Sequence, residues 1–90
     1  MVNRQTIVTN RLGLHARAAA KLVRVAAHFE ATVKLKRLDT AVIADAKSIL
    51  SVLALAASKG TQLTIECEGP DEEFAMKNVL ELFESRFGEE

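Results

Sequence analysis

Residues 13 to 17 read Gly13-Leu14-His15-Ala16-Arg17, and an alanine-rich stretch with helical spacing follows at once. A helix leaves its first backbone N–H groups without intrahelical partners and carries a partial positive charge at that end. Both favour a bound anion, a phosphoryl group among them. His15 stands where a capping residue would, so its ring can lie over those N–H groups. Arg17, in the first turn, can add a charge-assisted hydrogen bond to phosphate oxygens. Near neutral pH an imidazole offers a neutral, nucleophilic nitrogen. A neighbouring cation and a helix N-terminus both disfavour the imidazolium and keep that nitrogen free. A phosphoramidate formed there is labile, which suits onward transfer better than storage.

Arg17, Lys21, Arg24 and His28 are spaced by four, three and four, so they share one helix face. Such a stripe would attract an acidic partner surface and steer its approach. Two readings fit these residues taken alone. His15 carries an anion beside a steering face, or it is a capping histidine beside an ordinary solvated face. The Gly-x-His-x-Arg run does not choose between them.

The elements that would position His15 follow from periodicity. Arg4 to Thr9 reads as a first strand, Asn10 to Leu14 as a loop, and Ala16 to about His28 as a helix burying Ala19, Leu22, Val23 and Ala26. Ala31 to Leu38 alternates, with Val33 and Leu35 on one side and Thr32, Lys34 and Lys36 on the other, as in a half-buried strand. After a turn near Asp39, Ala41 to Ala44 is a short strand, and Lys47 to about Ala56 a short helix stopped at Ser58-Lys59-Gly60. Thr61 to Cys67 alternates cleanly. Gly69 and Pro70 open a last helix, with Asp71, Glu72 and Glu73 at its positive end, a stripe of Phe74, Ala75, Val79, Leu82 and Phe83, and Gly88 just past its end. The order βαββαβα predicts an α+β fold, an open-faced β-sandwich in which three helices cover one face of a four-stranded antiparallel sheet. Fold alone says nothing of function.

The composition narrows the classes. Ninety residues, 49% of them hydrophobic, suit one domain spanning 1–90 with a single core. Twelve basic and twelve acidic side chains cancel, and the chain has no Tyr or Trp and only four Phe. That argues against a nucleic-acid-binding module. Cys67 is the only cysteine and reads as a buried apolar residue, and two histidines with one cysteine make a zinc site a poor reading. No apolar run approaches the roughly 20 residues that span a bilayer, and Met1 to Thr6 lacks a signal-peptide apolar region. A cytoplasmic location is expected.

The segment from Asn10 to Val23 closely resembles the active-site segment of HPr proteins, the histidine phosphocarriers of the bacterial phosphoenolpyruvate-dependent phosphotransferase system. A second segment, Ala46 to Thr61, resembles the family's second-helix region, and the resemblance covers essentially the whole chain. It implies that His15 is phosphorylated through Nδ1 and that Arg17 stabilises the phosphoryl group. It implies Enzyme I as donor, IIA-type proteins or domains as acceptors, and no cofactor or metal in the carrier itself, which is expected to act as a monomer. Ser48 matches the serine that an ATP-dependent kinase phosphorylates in some members; as a residue it also suits a helix cap. Ile49, Leu50 and Leu53 are either core or, on the family pattern, an exposed docking surface rimmed by Arg17, Lys21 and Arg24. A regulatory module, whose His15 or Ser48 phosphorylation controls partner binding, is the alternative. HPr proteins commonly carry proline where this chain has Ala18, and alanine there is similar to the nitrogen-related branch, whose task is regulatory.

Overall fold

The computed structural model describes residues 1–89. The elements are β1 (Val2–Ile7), α1 (Ala16–Ala26), β2 (Thr32–Arg37), β3 (Ile43–Asp45), α2 (Ile49–Ala54), β4 (Gln62–Glu68) and α3 (Glu72–Glu84), followed by a tight turn at Arg86–Gly88. The four strands lie in the order β1-β4-β2-β3, and every neighbouring pair is antiparallel. The expected α+β layout is therefore present.

Alternation along the strands decides which face is dry. Val33 and Leu35 of β2 lie opposite Cys67 and Ile65 of β4, and all four are buried. Lys34, Lys36, Thr64 and Glu66 point to the other, uncovered face, where Lys34 sits directly across from Glu66. The helices close the dry face with Ala18, Ala19, Leu22 and Ala26 of α1, Val52 of α2, and Ala75, Met76, Val79 and Phe83 of α3. Three of the four buried α1 residues are alanines, so this helix can lie close on the sheet.

Some boundaries differ from the sequence expectation. β1 starts earlier, because Val2 pairs with Cys67, and it ends at Ile7, where the register with Gln62 stops. β3 is Ile43–Asp45 rather than Ala41 to Ala44, since Ala41 takes a left-handed φ of 61° in the turn. Helix α2 begins at Ile49, after Ser48 caps it. Phe74, expected in the buried stripe of α3, is 67% exposed, because the buried positions Ala75, Met76, Val79 and Phe83 place it on the opposite flank. Among the described residues, no helix is long and apolar enough to cross a membrane.

Asp71, expected at the positive end of α3, is its N-cap residue and makes no side-chain capping bond; its carboxylate accepts the backbone N–H groups of Glu30 (2.9 Å) and Ala31 (2.8 Å), tying the α1–β2 connection to α3. Glu72, the first residue of α3, accepts the Gly69 N–H at 3.0 Å and pairs with the chain's amino terminus at 3.2 Å. Burial, with Glu72 nearby, pushes the Cys67 thiol up to about 11, so it stays protonated and unreactive.

Candidate functional site

His15 is the N-cap of α1, with extended backbone at φ −78° and ψ −178°. Its carbonyl accepts the Ala19 N–H at 2.8 Å, the first bond of the helix, and its ring Nδ1 accepts the Arg17 N–H at 3.3 Å. The loop before it is held firmly. The Gly13 N–H donates to Asn10 O (3.1 Å), the Leu14 N–H donates to Ala57 O (2.9 Å), and Leu14 is buried. Gly13 has φ +69°, so the segment Asn10 to Leu14 leads the chain into the cap through a turn that glycine makes without strain.

The sequence places the helix's first N–H groups and the Arg17 guanidinium around the ring, with no carboxylate among them. The structure adds a carboxylate. Glu89 Oε1 lies 2.7 Å from His15 Nε2, and the buried Asn10 side chain donates from Nδ2 to the same oxygen at 3.0 Å and to Gly13 O at 2.7 Å. Bonds from His15 and then Asn10, helped by the positive charge of Arg17, hold the Glu89 carboxyl below the usual carboxylate range. The His15 side chain remains 26% exposed, enough for a partner to reach it. No local pattern pointed to Glu89, which is 74 positions from His15 in the sequence.

The remaining expected site residues divide. Arg17 is exposed and sits one residue beyond the first helical position, beside the ring. Arg24 is exposed, but Lys21 is half-buried and donates from Nζ to Phe87 O at 2.5 Å. His28, expected on the helix, lies just past the end of α1 at Ala26 and is bonded through Nδ1 to Arg24 O at 2.8 Å. The basic stripe is thus partly engaged inside the molecule. Ser48 caps α2, its Oγ accepting the Ser51 N–H at 3.3 Å. Ile49 (41%), Leu50 (76%) and Leu53 (37%) are exposed, while Val52 alone of α2 enters the core. Ala18 is fully buried, and its N–H lies in the first turn ahead of the Ala19–His15 bond. Among the described residues, no group of three or more His, Cys, Asp or Glu side chains could hold a metal ion.

The family model described as the PTS HPr component phosphorylation site matches residues 2–85. The chain is 49% identical to phosphocarrier protein HPr of Cupriavidus necator, over 99% of this chain and 98% of that one. It is 42% identical to phosphocarrier protein NPr of Escherichia coli K12, over 100% of this chain and 100% of that one. Among solved structures it is similar to HPr-C-His from Thermoanaerobacter tengcongensis, with a TM-score of 0.92 and 37% identity over 100% of this chain and 99% of the other.

Proposed function

The chain belongs to the HPr family, and from that premise we propose that it is a cytoplasmic phosphocarrier that takes a phosphoryl group onto His15 Nδ1 from phospho-Enzyme I and yields it to IIA-type acceptors. One observation carries this reading: the partly exposed ring of His15 caps α1, with Nδ1 accepting the Arg17 N–H of the first turn.

Phosphoryl transfer passes through a loose transition state with negative charge spread over the transferred oxygens, so catalysis is chiefly placement and charge stabilisation. The Nδ1 lone pair that accepts from Arg17 N–H is the one that would bond to phosphorus. Once it is used, that N–H can turn to a phosphoryl oxygen instead. Each charge-assisted bond of this kind contributes on the order of 1.5–3 kcal/mol. The Arg17 guanidinium can supply further donors, and Ala18, in place of the family's usual proline, keeps one more backbone N–H at the same helix end. Exposed Ile49, Leu50 and Leu53 would dock the partner beside the basic rim, in the small interface that a transient carrier needs.

The test is direct. Incubation of the chain with Enzyme I and phosphoenolpyruvate adds the mass of one phosphate, and His15→Ala adds none. A His15→Ala variant that still gained the phosphate would refute the assignment.

The position of Ser48 favours a second, regulatory reading. It caps the helix that carries the exposed apolar residues, so a phosphate there would place about two negative charges at the edge of the docking surface. Partner binding that changes with Ser48 phosphorylation and is indifferent to His15→Ala would favour that reading.

A further inference from the structure

Strand β2 ends on a charge at a position whose neighbours are apolar. Val33 and Leu35 are buried, and Arg37, next in the alternation, lies opposite the buried Leu63 of β4, so its side chain leaves from the face that the helices cover. That side chain is only 19% exposed, and every nitrogen of its guanidinium is committed. Nε and Nη2 donate as a pair to the Asp39 carboxylate, at 2.9 Å and 2.7 Å, while Nη1 donates to Leu55 O and Ala56 O at 3.1 Å each. The turn after the strand fixes the backbone beneath, since the Arg37 N–H donates to Val42 O at 3.0 Å and its carbonyl accepts the Ala41 N–H at 2.9 Å. The bond from Arg37 holds the Asp39 carboxyl below its ordinary 3.8, so the pair is charged at neutral pH.

The two carbonyls need such a donor. Helix α2 is six residues long with no basic residue in its last turn, and among the described residues no backbone N–H donates to Leu55 O or Ala56 O. A cation there also offsets the partial negative charge of the helix end. The next carbonyl along, Ala57 O, accepts the Leu14 N–H at 2.9 Å, and Leu14 leads directly into His15, the cap of α1. Downstream, the same connection is tied to Val8 by the Gly60 N–H to Val8 O (2.8 Å) and the Val8 N–H to Thr61 O (3.0 Å). Upstream of Ala57, the anchor is Arg37.

We propose that Arg37, oriented by Asp39, is a positioning residue for phosphoryl transfer at His15: it clamps the end of α2 so that Ala57 O stays fixed on the Leu14 N–H. The inference deepens the carrier reading and rests on it for its kinetic part. A planar guanidinium suits the task, because Asp39 fills one edge of the fork and leaves Nη1 for the carbonyls. Its influence passes through backbone, from Leu55 and Ala56 to Ala57, and from there to Leu14. Ile49 and Leu50 stand in the first turn of α2, behind the Ser48 cap and ahead of the buried Val52. Loosening the far end of the helix should therefore disturb placement at His15 and leave docking intact.

The experiment is amide hydrogen exchange of the full chain, alongside steady-state phosphorylation by phospho-Enzyme I, on Arg37→Ala, Arg37→Lys, Asp39→Ala and the double alanine variant. A misplacement of about 1 Å can cost roughly a hundredfold in rate, and a loop loosened but still tethered should cost about tenfold. Arg37→Ala should lower kcat by that factor and keep KM within about twofold. Its Leu14 amide should exchange about tenfold faster relative to that of Ile65, a core-strand amide that reports global opening. Arg37→Lys, whose ammonium can still serve a carbonyl, should recover part of both effects. Asp39→Ala should act in the same direction and add nothing to Arg37→Ala, because it works only through the guanidinium. A Leu14 amide that accelerates only in step with Ile65, an unchanged kcat, or a loss confined to KM would overturn the proposal. A native chain that takes up no phosphate would overturn the carrier reading and the kinetic part together. The exchange arm needs no donor, so the two failures are distinguishable.

Discussion

Gly13 and Ala57 are in backbone contact so close that a Cβ on Gly13 would stand 2.6 Å from Ala57 O and 2.8 Å from Ser58 Cα. This packing joins the loop that carries His15 to the α2–β4 connection, and the Leu14 N–H to Ala57 O bond runs beside it. Neither backbone segment can yield by a mere side-chain rotation.

Gly13→Ala should therefore be costly in two ways. The positive φ costs an L-residue roughly 1–2 kcal/mol, and relieving the overlap costs about 1–3 kcal/mol more. We expect a lower urea midpoint with an unchanged m-value, and a loss of phosphoryl uptake larger than the population of unfolded chain accounts for. Equilibrium unfolding and uptake kinetics on one sample check both.

Ala56 presents the opposite case. It ends α2 with φ 54°, a left-handed residue that is not glycine, and the Arg37 guanidinium closes the helix by donating to Leu55 O and Ala56 O at 3.1 Å each. Ala56→Gly relieves roughly 1–2 kcal/mol of strain and gives back about 0.4–1 kcal/mol through the freer unfolded chain. The net expectation is a gain of about 0.5–1 kcal/mol by that difference, read as a higher urea midpoint. His15 chemistry should be unaffected.

These strained positions mark the limit of what sequence could tell. The sheet was legible because its strands alternate, and the His15 cap because Gly13, His15 and Arg17 stand together ahead of a clear helical period. The turn that delivers Glu89 was not, since Arg86 and Phe87 have no local preference for left-handed backbone. Only the burial of Phe87 against Phe83, a tertiary fact, puts it there. Phe74 failed for a related reason: composition marks it apolar, but helical phase, set by Ala75, Val79 and Phe83, turns it outward. Lys21 reads as one member of a solvated stripe until the Phe87 carbonyl claims it.

Asp71 makes the fold sensitive to acid. The N–H of Glu30 first, then that of Ala31, hold its carboxyl below its ordinary 3.8, and the N–H of Gly69 with the chain's amino terminus does the same for Glu72 below 4.5. A carboxyl depressed in the folded state binds its proton more readily when unfolded. Its stabilisation is therefore whole above the unfolded value and lost as pH falls through the folded one. Stability should drop below about pH 4, near the ordinary carboxylate range. Asp71→Asn should flatten that fall while lowering stability at neutral pH. Urea midpoints taken at several pH values would show whether the slope changes.

Leu50 separates folding from docking more cleanly than any other position. It is 76% exposed on α2, whose core contact is made by Val52, so its side chain contributes little to the fold. A substitution there should stay within about 0.5 kcal/mol of native stability. An exposed leucine beside Ile49 and Leu53 is nonetheless an apolar surface that a partner can cover, and burying one such side chain is worth roughly 1.5–3 kcal/mol. Placing a carboxylate in that contact forfeits the burial and adds a desolvation cost. Leu50→Asp should therefore leave the unfolding curve in place and raise KM for phospho-Enzyme I about tenfold or more, with kcat little changed because His15, Arg17 and Glu89 are untouched. An unchanged KM would remove α2 from the docking surface, and a shifted unfolding midpoint would mean that Leu50 supports the fold.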